Sequence, residues 1–111
     1  MIDESVRRKI LGLVGLGIRG RNAIVGVQQV RDAAKRGKLR IALVASDASQ
    51  NSLDKVISLL DARGVKVLKD FTAGELGEIA GRNSVAVIGV SDAGLAMGIS
   101  RALSVTPGGS A

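Results

Sequence analysis

The chain has 111 residues, a net charge of +6 and a pI near 10.5, with 46% apolar residues but one aromatic, Phe71, and one proline, Pro107. It contains neither Cys nor His, which excludes disulfides, thiol chemistry and the usual zinc sites and removes the commonest general base at neutral pH. No stretch reaches the roughly 18 consecutive apolar residues that a bilayer span needs, and MIDESVRRK puts acids first with no A-x-A-like site after it, so a cytoplasmic protein without a membrane partner is expected. The length suits a single domain, expected over 1–103, whose core must be Val, Ile, Leu and Ala. The charge is uneven: residues 1–40 hold ten Lys/Arg against three acids, and residues 41–111 hold six against seven. A basic half on a small domain is the footprint of a polyanion partner such as nucleic acid, with ordinary solubilising charge as the alternative.

In chain order, residues 3–18 open on Asp3 and Glu4, carry Arg7, Arg8 and Lys9 later, and put Val6, Ile10, Leu13, Val14 and Gly17 on one helical face. AIV at 23–25 is a short strand. VQQVRDAAKR at 27–36 reads as a helix closed by Gly37. LRIALVAS at 39–46 is a buried strand, and a helix follows from an N-cap at Ser49 to the stop at Gly64, with Leu53, Val56, Ile57 and Leu60 as its apolar stripe. VKVLK at 65–69 is a strand, TAGELGEIAG a short helix, SVAVIGV a buried strand, and Ser91 is placed to cap a last helix, DAGLAMGISRAL. Residues 104–111 combine Pro, Gly and Ser and are expected to be a disordered tail. Helices alternating with strands imply an α/β, three-layer α-β-α sandwich around a sheet of about four strands.

One stretch admits two readings. GLGIRG at 15–20 is a G-x-G-x-x-G, preceded by the apolar KILGLV and followed, at the end of a second apolar run, by Asp47. A small Rossmann-like nucleotide-binding domain would use Gly15, Gly17 and Gly20 in this way. The alternative is a glycine-rich helix whose glycines allow close approach to its neighbours, at a cost of about 1 kcal/mol each relative to Ala. Periodicity fits both.

The motifs that decide between them lie further along. From Arg8 to Arg101 the chain resembles the kink-turn RNA-binding family of ribosomal and ribosomal-like proteins, L-seven-Ae, L-thirty-e and their relatives, and most of all the small stand-alone bacterial members. The resemblance rests on GLGIRGRNAIVG at 15–26, on ALVASDAS at 42–49, on Leu76, Gly77, Ala80 and Gly81, and on SVAVIGVSDAGLAMGI at 84–99. It implies a mixed sheet, GLGIRG as helix, no cofactor and no catalysis. It also implies a monomer bound to kink-turn or ribosomal RNA, linked to the ribosome or translation.

In that family the start of the second helix, after G-x-N-E-x-x-K, meets tandem sheared G·A pairs. The matching positions here are Gly26, Val27, Gln28, Gln29, Arg31 and Asp32, with Gln-Gln in place of Asn-Glu and Asp32 in place of the lysine. A helix N-terminus offers free N–H groups and a positive dipole end to phosphate, and amide side chains reach base edges. Arg21 and Asn22 match basic residues upstream; Asp47, Ser49 and Leu53 match positions that shape or touch the RNA surface; Arg63 matches a basic position near the RNA. Lys69, Asp70 and Phe71 match a loop that sets an apolar residue against an extruded nucleotide, where Phe71 would stack on a base. The competing role for Phe71 is a hydrophobic staple onto Leu76 beside a Thr72–Glu75 capping box. Lys35, Arg36, Lys38 and Arg40 cluster at the far end of the second helix, where they also complement its dipole. A protein-interaction module of the same fold remains a third reading, since a fold does not fix a function.

Overall fold

The glycine-rich run is coiled. In the computed structural model, which describes residues 2–104 and leaves the side chains of 50–52 aside, helix α1 spans Glu4–Arg19 and ends on Gly20. Asp3 caps it, its carboxylate accepting from the Val6 N–H at 2.8 Å. That bond, with a second from the Ser5 hydroxyl, holds the Asp3 carboxyl below its ordinary value. Val6, Ile10, Val14 and Gly17 are buried along one stripe. A Cβ on Gly17 would overlap Leu95 Cδ2, and one on Gly15 would sit 3.6 Å from Ile79 Cβ. Gly15 and Gly17 face protein across helix crossings and only Gly20, the C-cap of α1, lies in an exposed turn, so the dinucleotide-turn reading of Gly15, Gly17 and Gly20 is wrong: the run is helix, and among the described residues no strand precedes it.

The remaining elements are β1 (Ala23–Val25), α2 (Val27–Lys35), β2 (Ile41–Ala45), α3 (Gln50–Ala62), β3 (Lys66–Phe71), α4 (Ala73–Ala80), β4 (Val87–Val90) and α5 (Ala93–Ser104). The sheet order is β1-β4-β2-β3, with β2 parallel to β3 and β4 antiparallel to β1 and β2. Every residue of β2 is buried, as its unbroken apolar run implies. Strand alternation sends Ile41, Leu43 and Ala45 into one core with Val6, Ile10, Val14, Leu76 and Ile99. Ala42 and Val44 enter a second core with Val30, Ala34, Val56 and Leu60. Helices α1, α4 and α5 therefore cover one face of the mixed sheet and α2 and α3 the other: the expected three-layer α-β-α sandwich.

Two glycine stops set the geometry below. Gly37 and Gly64 adopt φ of +69° and +72°. Beyond them the Lys38 N–H bonds back to Ala33 O at 3.0 Å and the Val65 N–H to Leu60 O at 2.9 Å, closing α2 and α3 in Schellman fashion. Several boundaries differ from expectation, β2 being shorter at Ile41–Ala45 and β4 starting only at Val87, with Ser84 exposed before it. Strand β3 runs on to Phe71, so Lys69–Phe71 is strand, not loop. Its register against β2 slips between Leu43 and Ala45, and this bulge leaves Lys69 and Asp70 exposed in succession. Asp92, not Ser91, caps α5, accepting from the Leu95 N–H at 2.8 Å; Ser91 instead donates its hydroxyl to Asn22 O at 3.1 Å. Ser104, expected to start the tail, is the last residue of α5, and residues 105–111 lie outside the described residues.

Candidate nucleic-acid interface

Strands β1, β2 and β3 all run toward one end of the sheet, and β4 starts there. Call it the near end. A relay of backbone bonds crosses it: Gly26 N–H to Val87 O at 3.1 Å, Ala45 N–H to Ala86 O at 2.8 Å, Ser46 N–H to Phe71 O at 2.9 Å and Val85 N–H to Ala73 O at 3.0 Å. Asp47 completes it, its Oδ1 accepting from the Ala73 N–H at 2.8 Å. The Asp47 carboxylate thus ties the β2–α3 turn to the start of α4.

Helix α2 begins at this end, and its start is open. Its N-cap is Gly26, which offers no side chain, and the N–H groups of Val27, Gln28 and Gln29 have no acceptor among the described residues. Helices α1, α4 and α5 are capped by Asp3, Thr72 and Asp92 respectively; α3 has Ser49 at its N-cap position but no side-chain bond from it. Gly26 sits at φ +110°, a conformation that L side chains rarely adopt, and a Cβ there would fall 2.5 Å from Gln29 Oε1. Gln29 therefore folds back over the glycine while remaining exposed. Gln28 is exposed too, and its Nε2 donates to Asp32 Oδ1 at 3.1 Å. Asp32, which stands where the resembling family carries lysine, thus orients the Gln28 amide. Arg31, half-buried, lies one residue earlier.

Two residues expected at an RNA surface are in the core. Phe71 is 0% exposed. The Arg7 guanidinium lies over its ring, 5.3 Å from the centroid, and Arg7 also donates to Asp70 O and, at 3.0 Å, to Glu75. A base cannot stack there. The Thr72–Glu75 capping box is present, with the Glu75 N–H donating to Thr72 Oγ1 at 3.1 Å and the Thr72 N–H to Glu75 Oε1 at 2.9 Å. Phe71 and Leu76 are buried in the same cluster beside it, which agrees with the staple role. Leu53, 3% exposed, packs in the other core with Val56 and Leu60 and cannot touch a ligand.

Three others lie at the opposite end of the sheet from Gly26. Arg21 and Asn22 precede β1, and Asn22 O accepts from the Ser91 and Asp92 N–H groups beyond β4. Arg63 closes α3 just before β3 begins. All three are exposed at the far end of the sheet, away from Gly26. The near end therefore gathers Gly26, Val27, Gln28, Gln29, Arg31, Asp47, Ser49, Lys69 and Asp70.

It also gathers residues not anticipated from sequence. Arg82, Asn83 and Ser84 are exposed between α4 and β4, directly before the strand that pairs with β1. Gly77 lets this segment press on α4: a Cβ there would lie 2.7 Å from Ser84 Cα and N and 2.8 Å from Arg82 O. A polar triplet between a helix-stopping glycine and a buried strand was the available signal.

This α-β-α sandwich, with loops gathered around the open start of its second helix, has an L-seven-Ae-like fold. The chain is 30% identical over 95 residues to the RNA-binding protein YlxQ of Enterococcus faecium, spanning 86% of this chain and 91% of that protein, and it belongs to that family. A solved structure from Bacillus halodurans, described as a protein with unknown function, superposes with a TM-score of 0.79 at 28% identity, over 87% of this chain and 98% of its own. The 15.5kD RNA binding protein of Giardia lamblia shares the fold, with a TM-score of 0.78 at 17% identity over 93% of this chain and 88% of its own. No family model matches the chain.

Proposed function

We propose that this protein is a non-catalytic RNA-binding protein that recognises a structured, kink-turn-like RNA at the near end, in connection with the ribosome or translation. The observation that carries the reading is the uncapped start of α2, where three N–H groups without an acceptor among the described residues stand beside the exposed amides of Gln28 and Gln29. Free N–H groups and the dipole suit a phosphate, and the two amides can donate to and accept from base edges at an unpaired or sheared step. Family membership with an RNA-binding protein supports it. Arg31, Ser49, Lys69, Asp70, Arg82, Asn83 and Ser84 would flank the contact, while Asp47 holds the β2–α3 turn to the start of α4.

The test compares an RNA containing tandem sheared G·A pairs with the same RNA in which those pairs are Watson–Crick. Replacing Gln28 and Gln29 together by Ala removes hydrogen bonds worth about 1–3 kcal/mol in total, so discrimination falls about 5- to 150-fold. Stability changes little, since the pair forms only one exposed i,i+4 bond, worth about 0.2–0.5 kcal/mol. A large fall in melting temperature with undiminished discrimination would refute the assignment.

A further inference from the structure

The far end of the sheet carries the charge that the near end lacks. The first residues of β1, β2 and β3 and the last residue of β4 form one register row, Ala23–Val90–Ile41–Lys66, spanning about 14 Å at the usual strand spacing. Arg21, Arg40 and Lys66 sit exposed on that row or just ahead of it. The ends of α2 and α3 project beside it with Lys35, Arg36, Lys38 and Arg63, all exposed. The acids at or near this end are Asp61, in the last turn of α3, Asp92, whose carboxylate is engaged as the α5 cap, and Asp32, one turn before Lys35 and Arg36 but bonded to the Gln28 amide on its other side. Among the described residues, none of these seven cations has a carboxylate within 4.0 Å; the ion pairs found all involve Arg7 or Arg8.

Helix dipoles do not account for this. Each helix C-terminus contributes about −0.5 charge and draws cations only to its last turn. That explains Lys35, Arg36 and Arg63, but not Arg21, Arg40 or Lys66, which stand at strand starts. A one-signed field of this size is also unlike the mixed charge that solubility requires. The near end, by contrast, interleaves Arg31, Lys55, Lys69 and Arg82 with Asp32, Asp47, Asp54 and Asp70. The Schellman closures at Gly37 and Gly64 hold the cationic segments in fixed backbone positions.

We infer that the far end is a second nucleic-acid surface, sequence-independent, that holds the phosphate backbone of a separate RNA helix, so that the protein bridges two RNA segments. The two ends are about 15 Å apart along α2, from its nine residues and their short flanks, and they face opposite ways, so one straight helix cannot lie on both. The inference rests on RNA being the ligand, but not on kink-turn recognition at the near end.

The test uses a fluorescent RNA duplex without sheared pairs, titrated with the full chain over a range of salt, alone and after saturation with an unlabelled kink-turn RNA. The expected result is a ternary complex. The triple variant Lys38→Gln, Arg40→Gln, Arg63→Gln should lose duplex affinity and flatten the slope of log K against log salt by about 2–3, near 0.9 per lost phosphate contact. A control with equal charge loss elsewhere, Lys9→Gln, Lys55→Gln, Arg101→Gln, should keep most of the slope. The Gln28→Ala, Gln29→Ala variant should bind the duplex normally. An unchanged slope in the far-end triple overturns the inference and leaves the patch to an acidic protein. Equal losses in the control, or one-for-one competition between the two RNAs, overturn it as well. Failure of G·A discrimination in the wild type, with the far-end slope effect intact, counts against the near-end reading alone.

Discussion

Asp32 offers the sharpest test of how the near end works. It lies five residues into α2, so its Cα is about 7–8 Å down the axis from the first open N–H. A phosphate oxygen accepted there at about 2.9 Å would be roughly 10 Å from the carboxylate. At that separation two unit charges repel by about 0.4 kcal/mol in a water-like dielectric and about 1.7 kcal/mol at an effective value near 20. Asp32→Asn removes the charge and keeps an oxygen to accept from Gln28 Nε2, so the bond now measuring 3.1 Å can persist. The variant should therefore bind the sheared-pair RNA about 2- to 15-fold more tightly. The gain should be largest at low salt, because the Debye length shrinks to about 8 Å at physiological ionic strength. Asp32→Lys should go further and steepen the salt slope by about 1. Binding that is unchanged or weaker at low salt in Asp32→Asn would refute this reasoning. It would mean that no phosphate sits at the helix start, or that the carboxylate itself is needed to hold the Gln28 amide.

Other outcomes follow from the packing. Gly77→Ala gains about 1 kcal/mol of helix propensity but drives a Cβ into backbone that cannot yield, with overpacking usually costing about 1–3 kcal/mol; the net result should be a lower urea midpoint and weaker RNA binding, and a variant of undiminished stability would contradict the close approach. Arg7→Ala should destabilise by about 1–2 kcal/mol in denaturant melts through its lost ion pair with Glu75 and cover over Phe71, with Arg7→Lys recovering only part; a change below about 0.3 kcal/mol would show the network to be inert. The Asp3 carboxyl titrates lower in the folded chain than its ordinary 3.8, so its stabilisation of α1 is present above that value and is lost as pH falls through the depressed one. Acid titration of helix content should be correspondingly flatter in Asp3→Asn, and superimposable curves would dismiss the cap.

Local chemistry was legible in the residues wherever one element's own pattern decided it. Gly37 and Gly64 announced helix ends, the unbroken apolar run of β2 announced a strand buried on both faces, and Thr72 with Glu75 announced a capping box. GLGIRG was not legible by pattern, because a glycine against Leu95 and a glycine against a pyrophosphate look alike until the neighbour is known. Phe71 illustrates the same limit. Its place before a capping box is compatible with stacking outward or folding inward, and the bulge that exposes Lys69 and Asp70 while returning Phe71 to the core arises from the register against β2, which the local sequence does not encode.

The site was harder to read than the fold for a reason that lies in strand direction. Asn22 and Gly26 are four residues apart, yet β1 runs between them and carries them to opposite ends of the sheet. Arg63 and Ser49 are likewise separated by the whole length of α3. A list of candidate residues in chain order mixes the two ends, and the mixture resembles one diffuse basic surface over residues 1–40. Once the pairing of β1 with β4 assigns each residue an end, the mixture separates by chemistry as well. Amides, open N–H groups and balanced charge collect where the first three strands finish, and unpaired cations collect where they start. Amides suit discrimination among bases and cations suit phosphate of any sequence. The far-end cations and the amides at the start of α2 therefore lie on different faces, and variants that impair one should leave the other's salt dependence or specificity intact.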